Sequence, residues 1–174
     1  IHTYLTIDGS LGYTTAQKDI VIQDNVDFYL GTGQDCQMYH DGSNTYLRNL
    51  NGNFVIKQDK VDADLEFRCD DGSGGTQVYF FLDGSQADGT YAYTLFPDNS
   101  NLVFGTGGDF VLYHDGTDSY MTNNTGDVII QNSADDKDVV LGTDDGSGGY
   151  TAYITCDGSD GSIVTSRHIK MDSN

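Results

Sequence analysis

The chain has 174 residues, a formal net charge of −19, 22 Gly, 1 Pro and no Trp, which is length for one domain or a pair of small ones. Its 8 Lys and Arg are scattered and cannot neutralise a row of phosphates, so neither nucleic acid nor a membrane surface is expected as a partner. Leu, Ile, Val and Phe make up 23% of the residues, just above the roughly 20% below which highly charged chains stay disordered, so a lone compact core would be thin.

Of 27 acidic residues only Glu66 is Glu. Asp favours turns, caps and hard-cation sites over helix interiors, which points to loops between strands. No apolar run approaches the roughly 20 residues of a membrane-spanning helix. The first residues, Ile1-His2-Thr3-Tyr4, carry neither an initiator Met nor a signal-peptide pattern, so the sequence reads as an excerpt of something longer.

In chain order, residues 1–23 read as the end of a repeat and a connector, with Leu5 and Ile7 on one strand face before Asp8-Gly9-Ser10. A first β unit then covers residues 24–97 and a second residues 98–171, with residues 172–174 starting another. The register comes from self-comparison. Residues 24–85 align without gaps on residues 98–159, with 26 of 62 positions identical, the signature of internal duplication.

Each unit divides into about seven short antiparallel strands separated by Asp-Gly, Asn-Gly or Gly-rich turns, at the roughly 8–12-residue spacing of all-β folds. Period-two alternation marks a buried face at Phe28/Leu30, Cys36/Met38, Phe54/Ile56, Leu65/Phe67 and Val78/Phe80/Leu82. Its second copy is Leu102/Phe104, Phe110/Leu112, Val128/Ile130, Val139/Leu141 and Ala152/Ile154/Cys156. Tyr39, Tyr79, Tyr113 and Tyr153 take the opposite parity, where amphipathic rings can meet a neighbouring chain; they are candidate interface residues. Cys36, Cys69 and Cys156 share no equivalent position and no paired spacing, so they read as core fillers rather than a disulfide framework or zinc site.

Two duplicated blocks carry candidate chemistry. Tyr39-His40-Asp41-Gly42 and Tyr113-His114-Asp115-Gly116 read as hairpin turns, with His40 and His114 as candidate metal ligands; neighbouring strand residues point to opposite faces, which opposes a catalytic dyad. Asp70-Asp71-Gly72-Ser73-Gly74-Gly75 and its copy starting at Asp144-Asp145 combine paired carboxylates with a flexible loop. Asp70, Asp71, Asp144 and Asp145 are therefore candidate Ca²⁺ ligands, set against a reading as solvated strand-connecting loops. The glycine-rich stretch from Phe104 to Val111 partly fits a calcium nonapeptide but occurs once per 74 residues, so a glycine turn is the simpler reading. Asn123-Asn124-Thr125 is a glycosylation sequon.

The order Gly31-Thr32-Gly33, Tyr39-His40-Asp41-Gly42, Gly52 before an apolar run, Asp70 to Gly75, then Asp83-Gly84-Ser85 resembles the repeats of bacteriophage virion structural proteins, especially tail-fibre and appendage proteins. The resemblance spans nearly the whole chain. It implies a long, β-rich, homotrimeric fibre located on the virion, contacting other virion proteins and a host-surface glycan or receptor, without catalysis. A trimer would carry three times the −19 charge, so bound cations would offset repulsion. Tandem β-sandwich domains are the alternative fold. A non-viral extracellular filament or calcium-dependent bacterial adhesin is the alternative function, and a glycan depolymerase using paired carboxylates is a third.

Overall fold

In a computed structural model that describes residues 5–8, 10 and 12–169, every regular element is a β-strand. No helix is long and apolar enough to cross a membrane among the described residues. Strands β1 (Leu5–Asp8) and β2 (Tyr13–Ala16) form a hairpin. Strands β3 (Phe28–Leu30), β4 (Cys36–His40) and β5 (Thr45–Asn49) form a three-stranded meander, and so do β6 (Leu65–Asp70), β7 (Thr76–Asp83) and β8 (Tyr93–Leu95). Two further meanders are β9 (Leu102–Phe104), β10 (Phe110–His114), β11 (Ser119–Asn123) and β12 (Val139–Asp144), β13 (Tyr150–Cys156), β14 (Ile163–Thr165). All pairings are antiparallel.

The chain divides into two compact units, Ile1–Ala63 with β1–β5 and Asp64–Asn174 with β6–β14. This boundary falls inside residues 24–97, between their two meanders.

The register recurs at the spacing of the sequence duplication. Phe28 opposes Met38 and Met38 opposes Leu47, as Leu102 opposes Leu112 and Leu112 opposes Met121. Leu65 opposes Leu82 as Val139 opposes Cys156, and each of these ladders slips at the same point, after Phe67 and after Leu141. The slip is a β-bulge: Phe67 pairs with Phe80 and Arg68 with Val78, so Tyr79 has no opposite residue, and Tyr153 is skipped likewise. The expected single row through Val78, Phe80 and Leu82 is corrected accordingly, because an extra residue breaks strict alternation.

Turn chemistry explains why the chain reverses where it does. Asp41 Oδ1 accepts hydrogen bonds from the Ser43 and Asn44 amides at 2.9 and 2.8 Å, and Gly42 takes φ 93°; the side chain stands in for a backbone acceptor while glycine accepts the left-handed conformation. Asp115 does the same for the Thr117 and Asp118 amides. At the end of β7, Asp83 is the one buried polar side chain among the described residues. Its Oδ1 accepts from the Ser85 amide, the Ser85 hydroxyl and the Gln86 amide, and its Oδ2 from Gln86 Nε2.

Alternation places the apolar rows on one face of each sheet but does not bury them. No apolar side chain is buried among the described residues, and Phe28, Met38 and Leu47 remain about half exposed. A β-sandwich needs an interior about 10 Å thick between facing sheets, and no apolar side chain among the described residues is buried to form one.

Two expectations are corrected on the same ground. Residues around Phe54/Ile56 and Val128/Ile130 belong to no strand: strand propensity alone does not make a strand, and these residues form no backbone ladder with any described residue. Cys36 is half-buried, whereas Cys69 and Cys156 are exposed; inward parity on a sheet fills a core only when something covers that face. All three are free thiols.

Candidate functional site

The duplicated Tyr-His-Asp-Gly block builds the most elaborate side-chain cluster in each copy. Strand β4 ends at His40, whose carbonyl accepts the Asn25 amide at 2.8 Å. That backbone bond brings Asp24 alongside, and His40 Nδ1 lies 3.0 Å from Asp24 Oδ1. The Gly42 amide reaches the same Nδ1 at 3.1 Å. In the second copy the Asn99 amide meets the His114 carbonyl at 2.8 Å, His114 Nδ1 meets Asp98 Oδ1 at 3.0 Å, and the Gly116 amide meets Nδ1 at 3.0 Å. Each cluster thus ties the segment entering a meander to the turn between its second and third strands.

On the adjoining register position Tyr39 and Tyr46 stand directly opposite and stack, with ring centroids 4.8 Å apart; Tyr113 and Tyr120 stack at 4.7 Å. The Tyr46 hydroxyl also hydrogen-bonds Asp41, which pushes its ionisation above the usual phenol value, and Tyr120 is raised in the same way by Asp115. Asp41 in turn is held below the usual carboxylate range, first by the Asn44 amide and then by that of Ser43. Asp115 is lowered by the Asp118 and Thr117 amides. These partners favour the charged carboxylate.

His40 and His114 therefore each meet one carboxylate. Among the described residues no group of three or more His, Cys, Asp or Glu side chains comes together in a way that could hold a metal ion. The partners Asp24 and Asp98 were missed in the sequence reading because they lie 16 residues from their histidines. The signal available was that Asp24 and Asp98 both survive in the duplication, each followed by Asn.

The Asp70-Asp71 and Asp144-Asp145 pairs sit at the ends of β6 and β12, where they shape the hairpin turns. Asp71 Oδ1 accepts from the Ser73 amide at 2.8 Å, the Ser73 hydroxyl at 2.8 Å and the Gly75 amide at 3.0 Å. These bonds, led by the Ser73 amide, lower its ionisation. Asp70 Oδ1 accepts from the Gly72 amide at 2.7 Å. Asp144 accepts from the Gly146 and Gly148 amides, and Asp145 from those of Ser147 and Gly149. A Cβ on Gly75 would lie 2.5 Å from Asp71 Oδ2, and one on Gly149 would lie 2.6 Å from Asp145 Oδ2. Glycine leaves room there for the carboxylate to fold over its own loop. What the arrangement does chemically is hold a tight turn with side-chain oxygens.

Similar economy governs the remaining motifs. Asp35 folds over Gly31 and Gly33, and Asp109 over Gly105 and Gly107, so the glycine-rich stretch is a carboxylate-packed turn in both copies. Asn123 of the sequon donates through Nδ2 to the carbonyls of Thr125 and Gly126 at 3.1 and 2.8 Å. Of the candidate interface tyrosines, Tyr39, Tyr113 and Tyr153 are half-buried and Tyr79 is exposed. The Tyr79 hydroxyl donates to the Asp70 carbonyl at 3.0 Å, anchoring the bulge to the end of its own hairpin. The rings thus fall into two groups, cross-strand stacks at Tyr39 and Tyr113 and bulge residues at Tyr79 and Tyr153. Compared with known proteins, the chain matches no protein family, no curated protein and no solved structure.

Proposed function

We propose that the chain is a structural segment of a homotrimeric fibre, a tail fibre or related appendage of a bacteriophage virion, acting as a scaffold without catalysis. The observation that carries this reading is unfinished burial: correctly alternating apolar rows with no buried apolar side chain among the described residues. The fixed order of turn motifs supports the virion reading, and the spending of turn carboxylates on their own amides supports a structural role. Chain copies and other virion proteins are its partners, and a host-surface glycan or receptor is met by the complete appendage.

Sedimentation mass of the purified chain tests the assembly. A species of three times 18.9 kDa is expected. A folded monomer at every concentration removes the proposal.

A further inference from the structure

Three runs share one pattern: Asp19-Ile20-Val21-Ile22-Gln23, Asn53-Phe54-Val55-Ile56-Lys57 and Asp127-Val128-Ile129-Ile130-Gln131. Each has three consecutive strand-forming residues after Asp or Asn. In a strand, three consecutive apolar residues place apolar side chains on both faces. Yet none of the three belongs to a strand, and Val21, Val55 and Ile129 are 82%, 67% and 79% exposed.

The second and third runs are held at both ends. Asn49 Nδ2 donates to the carbonyls of Asn51 and Gly52 just before the second run, and Asn123 Nδ2 donates to those of Thr125 and Gly126 just before the third. After them, turns close from the Ala63 amide to the Lys60 carbonyl and from the Lys137 amide to the Ala134 carbonyl. Between these anchors, residues 54–57 and 128–131 make no backbone hydrogen bond with any described residue. Chain is presented here with fixed ends and an open ladder.

Charge selects the occupant. Two copies of a −19 chain repel, and they approach most readily where the sequence carries no acid. Residues 128–134 carry no charge at all, and residues 51–57 carry only the positive Lys57. Natural edge strands are guarded by charge and proline against pairing with other chains; residues 54–56 and 128–131 carry neither, and Lys57 is the one charge within the paired segments. Each meander in turn leaves two outer strands open for pairing within its own sheet.

We propose that residues 54–57 and 128–131 are the strands through which copies of this chain pair with one another, each completing a backbone ladder on a neighbouring copy and covering its apolar triplet there. This rests on the homo-oligomeric reading above and names the segments that make the contact.

Hydrogen exchange read by mass spectrometry on the intact assembly, with its sedimentation mass measured in parallel, tests it. Amides of residues 54–57 and 128–131 are expected to exchange about 100-fold or more slower than open chain. The double variant Val55→Pro/Ile129→Pro, which removes the ladder donors at these positions, is expected to sediment as a monomer with its hairpin circular dichroism intact. Val55→Thr/Ile129→Thr, which keeps the donors and the β-branched shape, should still assemble. An oligomer whose runs exchange at open-chain rates, or a proline pair that assembles like the parent, overturns the interchain ladder and leaves the oligomer standing. A monomeric parent chain overturns both readings. If the proline pair loses its hairpin signal, the exchange of the parent protein decides alone.

Discussion

His40 and Asp24 meet with Nδ1 and Oδ1 3.0 Å apart, and the Gly42 amide points at the same nitrogen from 3.1 Å. The two partners ask for opposite forms of the ring. A neutral imidazole with its proton on Nε2 accepts from Gly42 and turns a lone pair toward the carboxylate; a ring protonated on Nδ1 donates to Asp24 and loses Gly42. His114, Asp98 and Gly116 repeat the competition. Both carboxylates are well exposed, so each pair is worth at most about 1 kcal/mol. Asp98→Ala should therefore barely move the melting temperature, while the Asn99 amide, which bonds the His114 carbonyl, should exchange faster. An unchanged Asn99 exchange rate would show that the backbone bond holds the entry segment by itself.

Acid should open the turns. Asp41, Asp71, Asp83, Asp88, Asp115 and Asp157 are all held below 3.8 by hydrogen bonds within their own turns. A carboxylate whose folded value lies below its unfolded value contributes stability that is complete above the unfolded value and is lost as pH falls through the folded one. Far-UV circular dichroism is expected to hold down to about pH 4 and to decline below it. A hairpin signal unchanged to pH 2 would contradict the assigned turn bonds.

Gly158 follows Asp157 where a Cβ would collide with the Lys137 carbonyl oxygen and lie 3.1 Å from its carbon. The obstacle is backbone, which cannot swing aside as a side chain can. Gly158→Ala is expected to cost about 1–3 kcal/mol, read as a lowered thermal midpoint. An alanine variant melting with the parent would mean the connector before β12 is free to shift.

Phe80 stacks on Phe67 at 4.5 Å and lies 5.7 Å from Phe96, whereas its neighbour Phe81 makes no ring contact among the described residues. Phe80→Leu should cost about 0.5–1.5 kcal/mol more than Phe81→Leu, the usual worth of an aromatic pair beyond its area. Equal losses would assign the stability to burial by other copies and not to the stack.

Added salt is expected to favour assembly by screening the −19 charge of each chain. Because Asp70, Asp71, Asp144 and Asp145 are spent on their own turn amides, NaCl and CaCl₂ at equal ionic strength should raise the oligomer fraction alike. A larger effect of CaCl₂, abolished by chelation, would assign an ion to these loops.

Local rules carried the sequence reading furthest. The hairpin through Tyr39 to Tyr46 was legible because Asp41-Gly42 can only be a turn between alternating residues, and the loops at Asp70 and Asp144 for the same reason. Alternation also placed Phe28 with Met38 and Leu65 with Leu82 on shared faces. Burial was not legible, since a face pattern says which residues want cover and not whether their own chain supplies it. Phe54 and Ile56 show the same limit: strand propensity is present, yet they make no backbone pairing with any described residue. The bulge at Tyr79 and the pairing of His40 with Asp24 depend on register and on approach across 16 residues, which no single window of sequence displays.

All five sheets join only strands that are adjacent in the chain. Such topology has low contact order, and its hairpins close on the microsecond scale. Each meander can therefore settle as soon as its last strand has been synthesised, without waiting for any distant residue. For the proposed oligomer the slow step would then be the meeting of chains, a second- or higher-order process whose rate rises with local concentration. Nascent chains emerging side by side from one messenger would complete it far sooner than chains released singly into dilute solution.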